Sequence, residues 1–346
     1  MTERSGIQIR NLYKIFGKNP KRYVEAVKNG MSKEELNDRH NHVLGLQDIS
    51  LSLAPGEISV IMGLSGSGKS TLIRHINGLI EPTAGEILYE GRNVVEMGLD
   101  ELREFRRTKT AMVFQKFALL PHRTVLENTC YGLDIRGIPR SESEPIARKW
   151  IDRVGLSGFE DNYPKQLSGG MQQRVGLARA LANDADILLM DEAFSALDPL
   201  IRMDMQKVLL DLQEELHKTI IFITHDLDEA LRLGDSIAIL RDGALEQVGS
   251  GQDIVLRPAN DYIAEFVREV NRGRVIHADR LARPLVVGED APTLQVEGRK
   301  SLELVARKMS EAKADRATVL DRKGAEIGVI DASAILTAMV TPAEVS

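Results

Sequence analysis

The sequence predicts an α/β domain built on a mainly parallel sheet, and three observations carry that expectation. Short apolar runs, ISVIMG (58–63), AMVF (111–114), ILLMD (187–191), IIFIT (220–224) and SIAIL (236–240), have the length and composition of buried strands. Longer amphipathic patterns such as 140–154 and 199–217 separate most of these runs, and strands alternating with helices favour parallel pairing. The stretch from about 116 to 185 holds several helical patterns and no convincing strand, so a helical subdomain is expected between two strands of the sheet.

In chain order, the N-terminal MTERSGIQIRNLYK has no apolar segment of the kind a secretory signal carries. Residues 18–41, KNPKRYVEAVKNGMSKEELNDRHN, are polar and charged, with a capping-box pattern at Ser32 and Glu35. They read as a helical insertion before strand material resumes at 43–53. From about 272 the pattern changes. Residues 293–297, SLELVARKMSEAK (301–313), ATVLDRKGAEIGVID (317–331) and ASAILTAM (332–339) suggest strand, helix, strand, turn, strand and helix, with Gly324 at the turn. Domains are therefore expected at 1–275 and 276–346.

The bulk numbers exclude some classes. With 45 Lys and Arg against 51 Asp and Glu the net charge is −6, which does not favour nucleic acid or an anionic membrane surface as partner. A single cysteine, Cys130, rules out an intrachain disulfide and reads as a buried thiol. No run of about 18 apolar residues is present to span a membrane, so a membrane role is expected to come through a partner subunit. Trp150 reads as core, and His40, His42 and His75 lack metal-ligand spacing.

Three stretches carry chemistry. The first is GLSGSGKST, residues Gly63, Leu64, Ser65, Gly66, Ser67, Gly68, Lys69, Ser70 and Thr71. It follows a strand-like run and opens a helical pattern, the setting in which glycines let backbone N–H groups wrap phosphates. Lys69 adds a charge for the β- and γ-phosphates, and Ser70 offers a hydroxyl to Mg²⁺. The second is ILLMDE, a buried strand ending in Asp191, suited to the Mg²⁺ shell, and Glu192, placed to orient or deprotonate an attacking water. The third is LSGGMQQR (167–174), a second glycine-rich helix opening, this one without a lysine.

These stretches, with Gln115, SALD (195–198) and FITHD (222–226), stand in the order seen in ATP-binding-cassette (ABC) ATPases, and the chain resembles that family over about 63–225. Met171 replaces the glutamine of the commonest signature. The resemblance implies a P-loop NTPase cassette, with a RecA-like core, a β subdomain and an inserted helical subdomain. It implies ATP and Mg²⁺ as ligands and a head-to-tail homodimer. In that dimer Leu167, Ser168, Gly169, Gly170, Met171 and Gln172 serve the partner's ATP, because a lysine-free loop becomes useful only when the other subunit's γ-phosphate arrives. It further implies Gln115 as a contact to Mg²⁺ and the attacking water, His225 as the switch histidine on the γ-phosphate, and Asp198 as the acid at the dimer seam. Phe16 stands where the family stacks an aromatic on adenine, with Tyr13 as the alternative. Phe117, Pro121 and His122 lie where a membrane subunit could dock.

VIMGLSGSGKSTLIRHINGLIEPTAGEI, MVFQKFALLPHRTVLEN, LSGGMQQRVGLARAL and LLMDEAFSALDPLIR together resemble the ATPase subunits of bacterial importers for glycine betaine, proline betaine, choline or carnitine. That likeness covers about 5–275. It implies integral-membrane permease subunits, a periplasmic or lipid-anchored binding protein reached through them, and a place on the cytoplasmic face of the cell membrane. The tail, 280–340, resembles one cystathionine-β-synthase (CBS) motif, a regulatory element. An importer for another solute such as an amino acid, a soluble cassette acting on ribosomes or nucleic acid, and a nucleotide sensor with dead chemistry are the competing readings. The 122-residue spacing of Lys69 and Asp191 and the acidic balance oppose the second. Intact Lys69, Asp191, Glu192 and His225 oppose the third.

Overall fold

The apolar runs become strands, and the way each is buried shows which are central. The structure, a computed structural model, describes residues 6–286 and 290–341. Its strands are β1 (Ile7–Phe16), β2 (Val43–Leu53), β3 (Ile58–Met62), β4 (Ala84–Tyr89), β5 (Arg92–Asn93), β6 (Thr110–Phe114), β7 (Ile187–Asp191), β8 (Thr219–Thr224), β9 (Ser236–Arg241), β10 (Ala244–Gly249), β11 (Gln295–Glu297), β12 (Arg316–Leu320) and β13 (Glu326–Asp331). β3, β7 and β8 are buried at every position, as parallel strands covered on both faces must be. They lie in a six-stranded sheet of order β10-β9-β3-β8-β7-β6. β9, β3, β8, β7 and β6 pair in parallel, with Val60 opposite Phe222 and Leu189 opposite Ile221.

A second, antiparallel sheet has the order β2-β1-β4-β5. Its apolar residues, among them Ile9, Leu46 and Ile87, share one core with Ile61 and Leu189 of the parallel sheet and with Leu72, Ile73 and Ile76 of the helix Lys69–Ile76. The three helices Val125–Ile135, Arg140–Arg153 and Gly169–Ala182 fill the space between β6 and β7 in sequence. A reciprocal capping box at Thr124 and Glu127 starts the first of them. Cys130 and Trp150 are buried there, as the sequence suggests. Among the described residues no helix is long and apolar enough to cross a membrane.

Residues 18–41 form a 3₁₀ turn, Pro20–Tyr23, and two helices, Val24–Lys28 and Lys33–His40. Ser32 caps the second, its hydroxyl accepting from the Glu35 N–H at 3.0 Å. Three apolar side chains in this charged stretch, Val24, Val27 and Leu36, pack with Tyr13, Ile15 and Leu44 and fix it to the antiparallel sheet. The imidazole of His42 lies on Gly17, whose φ is +146° and where any Cβ would come within 2.2 Å of the ring. Glycine is required there both for its backbone conformation and for the close approach.

The chain divides into two units between Glu246 and Gln247, about thirty residues before the boundary expected from the change in pattern. The reason is apolar packing. Leu256 and Ile276 belong to the same core as Leu302, Val305, Met309, Val319 and Ile330, so the helices from Gly251 onward fold with the tail. In this second unit β11 and β12 are parallel, and β12 and β13 are antiparallel. Gly324, with φ +80°, makes the β12–β13 turn, and the Asp321 carboxylate accepts from the N–H groups of Lys323 and Ala325 at 2.7 and 2.8 Å.

One buried group gives the first unit a pH dependence. His75 is 1% exposed, and its Nδ1 lies 2.6 Å from the Thr71 carbonyl oxygen. A carbonyl only accepts, so Nδ1 carries the hydrogen and Nε2 is bare, with no partner among the described residues. Burial pushes the pKa of His75 down to about 4. The unfolded chain takes that proton near pH 6.5. The stability His75 contributes is therefore whole above pH 6.5 and is lost as the pH falls toward 4, an effect of roughly 3 kcal/mol at full extent. His75→Gln is expected to flatten the dependence of Tm on pH between 4 and 6.5. A mutant curve parallel to that of the parent would show that other groups govern this range.

Candidate functional site

At the end of β3 the chain must turn sharply before the next helix, and glycines allow it. An added Cβ on Gly63 would lie 2.1 Å from the Leu240 carbonyl oxygen on β9, and one on Gly68 would lie 2.8 Å from the Gly45 oxygen. Gly68 has φ +101° and caps the helix Lys69–Ile76. The loop therefore lies tight against its neighbours, which no residue with a side chain could do. The Lys69 ammonium is buried and donates to the carbonyls of Gly63 at 2.7 Å and Leu64 at 3.0 Å. Burial lowers its pKa, while the carboxylates of Glu192 and Asp191 work in the opposite direction. The Ser70 hydroxyl donates to Asp191 Oδ1 at 2.7 Å.

At the loop opens a cleft of about 300 Å³, lined by Ser65, Gly66, Gly68, Lys69, Ser70, Thr71 and Glu192 together with Phe16, Lys33, Val43, Leu44 and Gly45. Of the two aromatic candidates, Tyr13 is buried in the antiparallel sheet and Phe16 is 40% exposed at the cleft. The Phe16 ring rests on Gly45, where a Cβ would come within 2.6 Å of it.

The sheet's register brings the remaining polar groups together. In the parallel strands Phe114 stands opposite Asp191, and Asp191 opposite Ile223. Residues just past the ends of β6, β7 and β8 therefore fall side by side at the carboxyl edge, where parallel α/β sheets place their sites. Glu192 has φ +47°, a left-handed conformation uncommon for a residue with a side chain. Its carboxylate accepts from Gln115 Nε2 at 3.2 Å, lies 3.6 Å from His225 Nδ1, and lies 4.0 Å from Lys69 Nζ. A partly buried carboxylate held between an amide, an imidazole and an ammonium beside a phosphate-sized loop can accept a proton from water and position it.

The lysine-free glycine stretch sits elsewhere. Ser168 caps the helix Gly169–Ala182, its hydroxyl accepting from Met171 N at 3.3 Å, and Gln172 Nε2 donates to the Leu167 carbonyl at 3.2 Å. Gly170 closes on Ile201, whose Cγ2 would lie 2.6 Å from an added Cβ. Ile201 in turn donates its N–H to Asp198 Oδ1 at 3.1 Å, so Asp198 caps the helix Pro199–Leu216. None of Leu167 to Gln172 is among the described residues that line the Lys69 cleft.

Sequence reasoning missed two arginines that hold these loops. Arg202 reaches Asp226, next to His225, at 3.1 Å, and donates to the carbonyls of Leu197 at 3.3 Å and Ser195 at 3.5 Å. Arg179 donates to the carbonyls of Phe117 at 3.1 Å and Ala118 at 2.7 Å, two successive residues with φ of +56° and +48° just after Gln115. Both arginines fall within stretches that carry the resemblance, LSGGMQQRVGLARAL and LLMDEAFSALDPLIR, but nothing in their type marks them off from a solvated cation. The partners that distinguish them, Phe117 and Ala118 for Arg179 and Asp226 for Arg202, come from other elements of the chain.

A family model described as ABC transporter matches residues 46–195. The chain is 54% identical over 277 residues to the glycine betaine transport ATP-binding protein OpuAA of Bacillus subtilis (strain 168), covering 80% of this chain and 66% of that one. It thus spans just under two thirds of that relative's length. It is 48% identical over 325 residues to the trimethylamine N-oxide transport system ATP-binding protein TmoW of Ruegeria pomeroyi (strain ATCC 700808 / DSM 15171 / DSS-3), covering 94% of each. Among solved structures it resembles the ATP-binding cassette MJ0796, determined as a dimer in a post-hydrolysis state bound to ADP and Pi. The TM-score is 0.60 at 33% identity, over 71% of this chain and 98% of that one.

Proposed function

We propose, because this chain belongs to the ABC transporter family as one of its ATP-hydrolysing, ATP-binding subunits, that it drives uptake of small trimethylated nitrogen solutes, glycine betaine foremost. One observation supports the ATPase part: Glu192 lies within reach of Lys69, Gln115 and His225, and Asp191 within reach of Ser70, residues drawn from separate parts of the sequence. The solute rests on relatives whose names give glycine betaine and trimethylamine N-oxide, both of which carry three methyl groups on one nitrogen. Choline carries the same trimethylated nitrogen, and proline betaine is its near analogue, with two methyl groups on a ring nitrogen.

In this reading adenine stacks on Phe16 and the phosphates lie in the loop Gly63–Thr71, with Lys69 turning from its carbonyl partners to the β- and γ-phosphates. The donor set fits a magnesium ion. Ser70 Oγ and Asp191 Oδ1 are oxygen donors 2.7 Å apart, and a hard divalent cation takes oxygen ligands. The Gln115 amide oxygen is the third candidate. A magnesium ion held by these oxygens would neutralise charge on the phosphates. Glu192 accepts the proton of the attacking water, Gln115 orients that water, and His225 holds the γ-phosphate. Leu167 to Gln172 of a second copy close over the same nucleotide, with Asp198 at the seam. ATP then joins the two copies, and loss of the γ-phosphate releases them.

The homodimer works on integral-membrane permease subunits at the cytoplasmic face of the membrane, and a substrate-binding protein delivers solute from outside. The cassette is read as ending near 275, with the insertion 18–41 and the helical subdomain 116–185 as its parts. The tail 276–346 is read as a partial CBS-like regulatory domain. Its strand, helix, hairpin and helix with a shared apolar core support that reading.

The test is uptake into proteoliposomes carrying the whole transporter. Labelled glycine betaine is expected to enter with ATP, and unlabelled choline and trimethylamine N-oxide serve as competitors. Removing residues 276–346 is expected to shift the osmolarity at which uptake begins. Uptake of trimethylamine N-oxide alone would replace the solute. Stimulation by none of these solutes would overturn the importer assignment.

A further inference from the structure

The insertion between β1 and β2 is polar and charged, and one of its side chains, Lys33, lines the nucleotide cleft. It lines this cleft together with Ser65, Gly66, Lys69, Phe16 and Val43. We propose that Lys33 is a nucleotide-binding residue whose ammonium leaves Asp242 and pairs with the phosphate chain of ATP. This rests on the ATP reading of the cleft given above.

Three observations support it. First, the backbone that carries Lys33 is fixed. Lys33 opens the helix Lys33–His40, which Ser32 caps at one end and the fully buried Leu36 pins to the sheet. The site is thus offered by a built element. Second, the present partner of Lys33 is weakly held. Its Nζ lies 3.3 Å from Asp242 Oδ1, and the two side chains are 40% and 70% exposed. Exposed pairs of this kind contribute little and exchange readily. Third, the partner sits where the phosphate loop ends. Asp242 precedes Gly243, whose Cα lies 3.6 Å from where a Cβ on Gly68 would be, and Gly68 caps the helix at Lys69. An ammonium poised between a carboxylate and a phosphate cradle moves to the more highly charged ligand when it arrives.

An ion pair that merely ties the insertion to the β9–β10 turn is distinguishable from a nucleotide contact, because the two make opposite predictions for the partner. Equilibrium binding of fluorescent ADP and ATP analogues to the full chain, with adenosine as competitor, reads both. Lys33→Ala is expected to weaken ADP and ATP binding about three- to tenfold and to leave adenosine unchanged. Asp242→Asn, which frees the lysine, is expected to leave ADP and ATP binding as it was or to tighten it. Equal weakening by both substitutions, unchanged affinity in Lys33→Ala, or an equal loss for adenosine would each overturn the assignment. If the unaltered chain fails to bind ATP, or Lys69→Ala binds it normally, the failure belongs to the reading of the cleft itself.

Discussion

Glu192→Gln is expected to lower the rate of ATP hydrolysis by about 10²–10⁴ while leaving ATP binding intact. Glutamine keeps the length of the side chain and can still accept the Gln115 hydrogen bond, so the left-handed backbone at 192 is not disturbed. What disappears is the group able to take a proton from water. The nearby charges give binding its sign. The Glu192 carboxylate lies 4.0 Å from the Lys69 ammonium, so it competes with the phosphates for that cation. Removing its charge leaves nucleotide affinity the same or higher. The variant should therefore show a fall in kcat without a rise in KM, and should run as an ATP-bound dimer on a sizing column. Near-normal turnover would show that another group activates the water, and His225, 3.6 Å from the same carboxylate, would be the next to replace.

What could be read in advance follows from how local each signal is. β3, β7 and β8 were legible because central parallel strands are apolar on both faces, and no helix of similar length matches such a run. Gly63–Thr71 and Asp191–Glu192 were legible because close backbone approach and a charged strand end leave few alternatives for residue type. Gln115 and His225 are singled out only by the resemblance to a family, and the register that sets Phe114, Asp191 and Ile223 abreast is what brings them beside Glu192. Arg179 and Arg202 were not legible as loop anchors, because the side chain of each reaches a partner 24 to 62 residues away, and Lys33 reaches the cleft only through the fold of the insertion. The packing of 247–275 with the tail is not readable in the sequence for a related reason. The residues that join 247–275 to the tail, Leu256 and Ile276, are ordinary apolar side chains, and only their shared core with Val305 and Val319 reveals the allegiance.

Ser168→Asp and Lys69→Ala are each expected to be inactive alone and to regain hydrolysis when mixed, which tests whether each nucleotide is gripped by two copies. Aspartate caps a helix as well as serine does, so Ser168→Asp keeps the helix Gly169–Ala182 and, in this reading, keeps ATP binding by its own Lys69 loop. It also sets a carboxylate where the partner's γ-phosphate is proposed to arrive. Two like charges about 4 Å apart at an effective dielectric constant near 20 repel by about 4 kcal/mol, roughly a thousandfold. Lys69→Ala disables the other half of the site. In a mixed pair, the intact loop of the first variant faces the intact Ser168 of the second, and the opposite site holds both defects. Random pairing makes half of the dimers mixed, each with one working site, so hydrolysis should recover to about a quarter of the unaltered value. Rates are measured across mixing ratios, with thermal melting to show that both variants are folded. Activity in Ser168→Asp alone, or none at any ratio, would mean that Leu167–Gln172 do not serve a nucleotide held by another copy. Behind the expected rescue stands one geometric fact: in a single chain Ser168 caps a helix whose first residues are not among the described residues that line the Lys69 cleft.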